Sequence, residues 1–193
     1  MLNIVNVGYD STNYYVIETD KAKLLIDIGW PDTLPKLLHT LKRIGISLSG
    51  ITHLLVTHYH PDHAGLAQVL KQKGVKLIVL ENQVTAIPTL KQYIKSKYDY
   101  VDIALDDNVR VHTTESRPFL RSLGIDGEII VTPGHSDDSV TLILDTGVAF
   151  TGDLPLVPVS EDPAHPAQQS LDHIRAHNVH VIYPGHGPVR QLT

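Results

Sequence analysis

The feature that most constrains this chain is the segment His58-Tyr59-His60-Pro61-Asp62-His63, which places four potential metal ligands directly after an apolar, strand-like stretch, residues 51–57. Its first two histidines are two positions apart, so their side chains share one side of an extended backbone. The proline favours the first position of a helix, which would turn the last two residues towards a second point nearby. This one segment can therefore supply ligands to two adjacent metal ions.

Six residues cannot complete two metal sites, so further ligands must come from elsewhere in the chain. Candidate donors follow four other strand-like segments, each with a glycine close by: Asp27, His135, Asp153 and His186. Glycine permits the tight backbone geometry that projects a polar residue from the edge of a sheet. The other seven histidines form no comparable ordered set, and we interpret them as structural or surface residues: His39, His53, His112, His165, His173, His177 and His180.

Hydrophobic periodicity predicts an alternation of strands and helices along the chain. The predicted strands cover residues 2–7, 14–19, 23–28, 51–57, 75–80, 109–113, 128–131, 140–144, 148–150 and 179–183, and the predicted helices cover residues 32–44, 62–73, 81–98 and 167–177. The order strand, helix, strand over residues 51–80 indicates a parallel crossover, which is typical of an α/β fold. A length of 193 residues fits one domain, and we expect residues 1–193 to form it.

Composition excludes several classes of protein. The chain has no cysteine, which rules out disulfide scaffolds, thiolate-bound zinc and cysteine nucleophiles, and it has 12 histidines, a surplus of the commonest metal-binding side chain. The formal net charge is −5 and there is no basic run, so we expect no nucleic-acid partner. No apolar stretch is long enough to span a bilayer, and no leader pattern opens the chain. We therefore expect a cytoplasmic protein without a membrane partner.

Taken in order, these residues resemble the pattern of the metallo-β-lactamase superfamily of binuclear metallohydrolases. That pattern is an aspartate after an early strand, then His-x-His-x-Asp-His, a lone histidine, an aspartate and a final histidine. The chain matches it, nearly from end to end, with Asp27, the segment from His58 to His63, His135, Asp153 and His186. The resemblance implies a four-layer αββα sandwich, in which two mixed β-sheets lie face to face with helices on the outside.

The resemblance also implies two metal ions, one held by His58, His60 and His135 and the other by Asp62, His63 and His186. Asp153 would bridge both ions, and Asp27 would hydrogen-bond to a ligand and orient it. Imidazole and carboxylate ligands suit divalent ions, with Zn²⁺ expected and Mn²⁺ or Fe²⁺ as alternatives. A hydroxide bridging the ions would attack the substrate, so Asp62 and Asp153 are expected to be catalytic residues as well as ligands.

Differences among the family's branches narrow the expected function. Many β-lactamases of the superfamily have cysteine or serine where this chain has Asp153, which disfavours antibiotic hydrolysis. The motifs are more similar to those of glyoxalase-II-type thioesterases and lactonases, which implies cleavage of a small ester, thioester or lactone. Only seven residues follow His186, so we expect neither the C-terminal helical domain of glyoxalase II nor its hydroxyacylglutathione substrate. Three alternatives stay open: an iron-dependent oxygenase similar to the persulfide dioxygenases, a phosphodiesterase, and a non-catalytic metal-binding module.

The expected partner is a small-molecule substrate, selected by loops around the metal ions. The candidate loops are residues 9–13, 81–117 and 154–166. Trp30 is a candidate to border the cleft, and a pocket for an acyl group or an anion could be lined by Tyr93, Tyr98 and Tyr100 with Lys91, Lys95 and Lys97; the alternative is packing for the aromatic rings and a solvated face for the charged residues. The sequence leaves the substrate and the oligomeric state open, a homodimer included.

Overall fold

The computed structural model describes residues 2–156 and 162–192, and its elements follow the hydrophobic pattern of the chain. Within these ranges the strands are β1 (Asn3–Asn6), β2 (Tyr15–Glu18), β3 (Lys23–Ile26), β4 (His53–Leu55), β5 (Lys76–Leu80), β6 (Val109–Val111), β7 (Gly127–Val131), β8 (Val140–Leu144), β9 (Val148–Gly152), β10 (Val181–Pro184) and β11 (Arg190–Gln191). The α-helices are α1 (Leu34–Arg43), α2 (Pro61–Ala64), α3 (Ala67–Gln72), α4 (Ser116–Ser122) and α5 (Pro166–Ala176). Short 3₁₀ helices cover Leu48–Gly50, Glu81–Gln83, Ile87–Tyr93 and Thr113–Glu115.

The strands form two mixed sheets. The first has the order β1-β2-β3-β4-β5-β6, antiparallel from β1 to β3 and parallel from β3 to β6. The second has the order β11-β10-β9-β8-β7, in which the pair β9 and β10 is parallel and the other pairs are antiparallel. The parallel pairing of β4 with β5 confirms the predicted crossover over residues 51–80.

Three hydrophobic clusters lie between the four layers of the fold, which are two sheets and the helices on their outer faces. Alternate residues of a strand face opposite sides of its sheet, so Leu25 of β3 packs with Leu37 of α1 while Leu24 faces the second sheet. There Leu24 shares a cluster with Phe150 of β9, and the outer face of the second sheet packs against Ile174 of α5. Each such buried aliphatic or aromatic side chain contributes about 1.5–3 kcal/mol of transfer free energy. This arrangement confirms the αββα sandwich expected from the sequence.

The structure differs from the predicted elements at identifiable points. The predicted helix over residues 62–73 is divided into α2 and α3, because the carbonyl of His63 accepts the N–H of Ile28 at 2.9 Å instead of continuing the helix. A Cβ on Gly65, the residue after α2, would lie 2.4 Å from the Pro61 carbonyl oxygen. The position between α2 and α3 therefore needs glycine. The predicted helix over residues 81–98 is replaced by two 3₁₀ segments, since Pro88 removes a backbone donor. Helix α4 and the two-residue strand β11 were not predicted.

The helices of residues 2–156 and 162–192 are short. None of them combines the length and the apolar character that a membrane crossing requires.

Candidate metal centre

The candidate ligands lie at one edge of the sandwich because the strands that precede them end there. Asp27 follows β3 and the segment from His58 to His63 follows β4, and these two strands are parallel. In the second sheet β7, β9 and β10 run in one direction, since β8 is antiparallel to both of its neighbours and β10 is parallel to β9. These three strands are followed by His135, Asp153 and His186. Their side chains lie close to the ligands that follow β4 of the first sheet.

The first group of donors consists of three imidazoles. Nδ1 of His60 lies 3.1 Å from Nε2 of His58 and 3.0 Å from Nε2 of His135. Nitrogen atoms bound to one tetrahedral zinc ion at about 2.05 Å would be about 3.3 Å apart. The spacing of these three rings therefore suits a single ion.

The second group combines a carboxylate with two imidazoles. Oδ2 of Asp62 lies 3.2 Å from Nε2 of His186 and 3.7 Å from Nε2 of His63. The Nδ1–H of His186 donates to the carbonyl oxygen of Ser11 at 2.7 Å, so Nε2 is the ring nitrogen that faces the carboxylate. These three side chains also lie close enough together to hold an ion.

Asp153 lies between the two groups. Its Oδ1 is 3.3 Å from Nε2 of His63, and its Oδ2 is 3.5 Å from Nε2 of His186, 3.7 Å from Nε2 of His135 and 4.0 Å from Nε2 of His58. Oδ1 thus faces His63 of the second group, and Oδ2 faces members of both groups. A carboxylate in this position is able to contact two ions at once.

Asp27 is a buried carboxylate that orients candidate ligands through hydrogen bonds. Its carboxylate accepts the Nδ1–H of His63 at 2.9 Å, the backbone N–H of Thr57 at 2.6 Å and the Thr57 hydroxyl at 2.7 Å. That hydroxyl is 3.2 Å from Nδ1 of His58 and can accept its proton, so one buried carboxylate orients two candidate ligands. Asp27 has a positive φ of 60°, a conformation that aspartate tolerates better than most residues.

Other residues hold the ligand loops and were not found from the sequence. Asn13 donates from Nδ2 to the carbonyl oxygens of Pro184 at 3.0 Å and Gly187 at 2.7 Å, which fixes the loop of His186. Asp138 accepts the backbone N–H of Tyr59 at 2.7 Å and fixes the loop between the first two histidines. These are contacts between chain-distant residues, and no local sequence pattern indicates them.

The model of the metallo-beta-lactamase superfamily matches residues 7–186, a range that includes every candidate ligand. This chain belongs to the metallo-beta-lactamase superfamily. Among its relatives, the beta-lactamase-like protein 2 homolog of Caenorhabditis elegans is 30% identical over 191 residues, covering 92% of this chain and 56% of the relative. A lactamase-like protein of Aspergillus fumigatus is 30% identical over 185 residues, covering 92% of this chain and 48% of the relative. The chain spans about half the length of these curated relatives.

Solved structures of the superfamily share the fold. A metallo-beta-lactamase family protein from Thermus thermophilus has a TM-score of 0.76 at 21% identity, covering 99% of this chain and 75% of that one. A metallo-beta-lactamase from Cronobacter sakazakii has a TM-score of 0.69 at 17% identity, covering 95% of this chain and 78% of that one. At sequence identities of 21% and 17%, the likeness to these structures shows the fold alone.

Metallo-beta-lactamase superfamily members bind metal ions, and two features of this site fit such ions. Nε2 of His63 and Oδ1 of Asp153 are buried atoms without a hydrogen-bond partner among the described residues, a costly state for polar groups unless something else pairs with them. Gly185 leaves the space in front of them open, because a Cβ there would lie 2.5 Å from Oδ1 of Asp153. The donors are all nitrogen or oxygen, which suits divalent zinc, manganese or iron.

The charge states of the buried groups follow from their neighbours. Burial, together with the nearby charges of His63 and His135, holds the pKa of His58 well below its usual value, so its imidazole is neutral as a ligand must be. Burial alone would lower the pKa of His63, but the carboxylates of Asp27 and Asp153 raise it to about 10. The pKa of Asp153 is lowered despite burial, because His63 stabilises its ionised form. A cation at this position would take the place of the proton on His63.

Two cavities border the site, and His135 lines both of them. The first has a volume of about 350 Å³ and is lined by His135, Gly152, Asp153, Leu154, Leu156, Pro184, His186 and Arg190. The second has a volume of about 400 Å³ and is lined by Tyr59, His60, Ala86, Thr89, Tyr93, His135, Ser136, Asp137 and Asp138. Cavities of this size accommodate small organic ligands.

The candidate substrate loops have different positions relative to these cavities. Tyr93 is 57% exposed and its ring centroid lies 5.3 Å from that of His60, so it borders the second cavity. Tyr98 instead stacks on Trp30 at 5.6 Å, which is a packing role. In the third loop Leu154 and Leu156 line the first cavity, whereas residues 157–161 lie outside the described residues.

Proposed function

We propose that this chain is a metal-dependent hydrolase that holds two divalent ions, with zinc expected, and cleaves a small ester, thioester or lactone. The observation that carries the proposal is the convergence of five imidazoles and two carboxylates in one cluster. Within it, Nε2 of His63 and Oδ1 of Asp153 lie 3.3 Å apart, and both are buried without a hydrogen-bond partner among the described residues. His58, His60 and His135 would hold one ion, Asp62, His63 and His186 the other, and Asp153 would bridge them. When bound, such a pair of ions supplies a water of lowered pKa and a Lewis acid for the carbonyl oxygen.

The chain's own residues orient these groups and leave room for a substrate. Asp27 fixes the ring of His63 through Nδ1, and the Ser11 carbonyl fixes the ring of His186 in the same way. His58 and His63 are buried, whereas His135 and His186 lie at the mouth, so a substrate would enter from their side. The cavities of about 350 and 400 Å³ there suit a small acyl compound.

Particular observations weigh against the alternatives. A persulfide dioxygenase-like oxygenase needs one iron held by two histidines and an aspartate, and the compact group of Asp62, His63 and His186 would then have no role. A non-catalytic module would have an occluded cleft, but two cavities open beside His135. A phosphodiesterase would use the same ions, so only substrates distinguish it.

The test combines metal analysis with a substrate panel. Protein reconstituted with zinc would be assayed with phenyl acetate, S-phenyl thioacetate, γ-butyrolactone and bis(4-nitrophenyl) phosphate, and iron-loaded protein would be assayed for oxygen uptake with glutathione persulfide. We expect two equivalents of zinc and hydrolysis of at least one carbonyl compound that chelation abolishes. Turnover of the phosphodiester alone, or oxygen uptake without hydrolysis, would overturn the proposal in favour of that activity.

A further inference from the structure

Arg190 lies in the wall of the first cavity, together with His135, Asp153 and His186. Its position is fixed by the edge strand β11, in which Arg190 pairs with Ile182 of β10. Paired residues on adjacent strands share one face of the sheet, and Ile182 belongs to the cluster on the outer face that also contains Leu154. The cavity wall therefore contains candidate ligands, apolar residues of this outer face and Arg190.

Among residues 2–156 and 162–192, no ion-pair partner of Arg190 is found, and the described wall offers it no free carboxylate. The arginine ion pairs found among the described residues involve Arg117, Arg121 and Arg175. The carboxylate of Asp153, also in the lining, faces the histidine cluster. The other large side chains of the described lining are apolar: Leu154, Leu156 and Pro184.

The second cavity has the opposite character. It is lined by the carboxylates Asp137 and Asp138 and by the hydroxyl-bearing residues Tyr93, Thr89 and Ser136, without a lysine or arginine. An anion is thus disfavoured beside Asp137 and Asp138 in the second cavity and favoured beside Arg190 in the first. The charges of the two linings would therefore favour binding of an anionic substrate with its negative group in the first cavity.

We propose, building on the hydrolase function above, that the substrate carries a carboxylate, which Arg190 binds while Leu154 and Leu156 contact the adjoining carbon skeleton. A guanidinium pairs with a carboxylate through two parallel hydrogen bonds. Arg190, which has no ion-pair partner in the part of the chain that the structure describes, supplies one positive charge, and this matches a carboxylate better than a phosphate dianion. Arg190 is here a specificity-determining residue.

Three acetate esters of equal shape around the scissile bond test the proposal: 4-acetoxybenzoate, neutral phenyl acetate and cationic 4-acetoxy-N,N,N-trimethylanilinium. With zinc-loaded wild type, we expect kcat/KM to be highest for the benzoate. In Arg190→Gln, the preference for the benzoate over phenyl acetate should fall roughly three- to tenfold through KM, with kcat little changed, and Arg190→Lys should retain most of it. Added salt should weaken the preference of the wild type and not that of Arg190→Gln.

The matched control is Arg43→Gln, since Arg43 is an exposed arginine of α1 that lines a cavity on another face. It should leave the preference unchanged. The proposal is overturned if Arg190→Gln affects the benzoate and phenyl acetate equally or not at all, or if 4-acetoxyphenyl phosphate is preferred to the benzoate.

A binding measurement separates this inference from the hydrolase function. Calorimetry would compare benzoate with benzamide on wild type and Arg190→Gln. A selectivity for benzoate that Arg190→Gln removes supports the role of Arg190 even if no ester is hydrolysed. Hydrolysis of phenyl acetate without such selectivity would leave the hydrolase function standing and refute the carboxylate site.

Discussion

Replacing Asp27 by Asn tests how the buried carboxylate prepares the metal ligands. Asparagine has the same shape and also tolerates the positive φ of 60° at this position, so the change removes charge and one acceptor with little effect on the backbone. The carboxylate accepts from Thr57 N–H, from the Thr57 hydroxyl and from His63 Nδ1–H. An amide group would place its NH₂ against one of these donors.

Both orientations of the amide are unfavourable. If the NH₂ faces His63, the ring must accept at Nδ1 and carry its proton on Nε2, the atom that should bind the metal. If it faces the Thr57 N–H, two buried donors oppose each other, at a cost of about 1–3 kcal/mol. Loss of an orienting partner of a metal ligand typically costs 10–100-fold in affinity, or about 1.4–2.7 kcal/mol. We therefore expect zinc affinity to fall 10–100-fold and the metal-free protein to lose about 1–3 kcal/mol of unfolding free energy.

Competition with a chromophoric chelator would measure the affinity, and urea denaturation of the metal-free protein would measure the stability. The matched control is Asp107→Asn, because Asp107 also has a φ of 60° but is exposed and precedes β6, whereas the ligands follow the parallel strands β3 and β4. A zinc affinity of Asp27→Asn within twofold of wild type would show that this carboxylate does not prepare the site.

Three further substitutions give distinct expectations. Asp153→Ala should reduce bound zinc below two equivalents and abolish hydrolysis, because it removes the carboxylate between the two groups; unchanged stoichiometry by elemental analysis, with an unchanged rate, would refute the bridging role. Asn13→Ala removes two hydrogen bonds that hold the loop of His186 and should lower unfolding free energy by about 1–2 kcal/mol, which thermal denaturation checks against wild type. His177→Ala should change activity less than twofold and stability by at most about 0.5 kcal/mol, since this ring lies at the end of α5 away from the ligands; a large loss of zinc would contradict the ligand set.

Much of the fold was predictable because its signals are local. The run of apolar residues in β3, with Leu24 and Leu25 on opposite faces, marks a strand buried on both sides. The positions of Asp153 and His186 were predictable for the same reason. Each residue follows a strand, and the direction of that strand determines at which edge of the sheet the residue lies.

The rest depends on contacts between distant parts of the chain. The break after α2 follows from a hydrogen bond between Ile28 and His63, which no helical periodicity records. The hydrogen bonds of Asn13 to the loop of His186 and the place of Arg190 in the cavity wall likewise require the assembled sheets. The assignment of ligands to individual ions stays a prediction.

The most direct test of the account is an anomalous difference map from crystals of the zinc-loaded protein. The account predicts two peaks roughly 3.5–4 Å apart, one bonded to His58, His60 and His135, the other bonded to Asp62, His63 and His186, and both contacting Asp153. A map with no peak among these side chains, or with zinc bound only at other histidines of the chain, would contradict it.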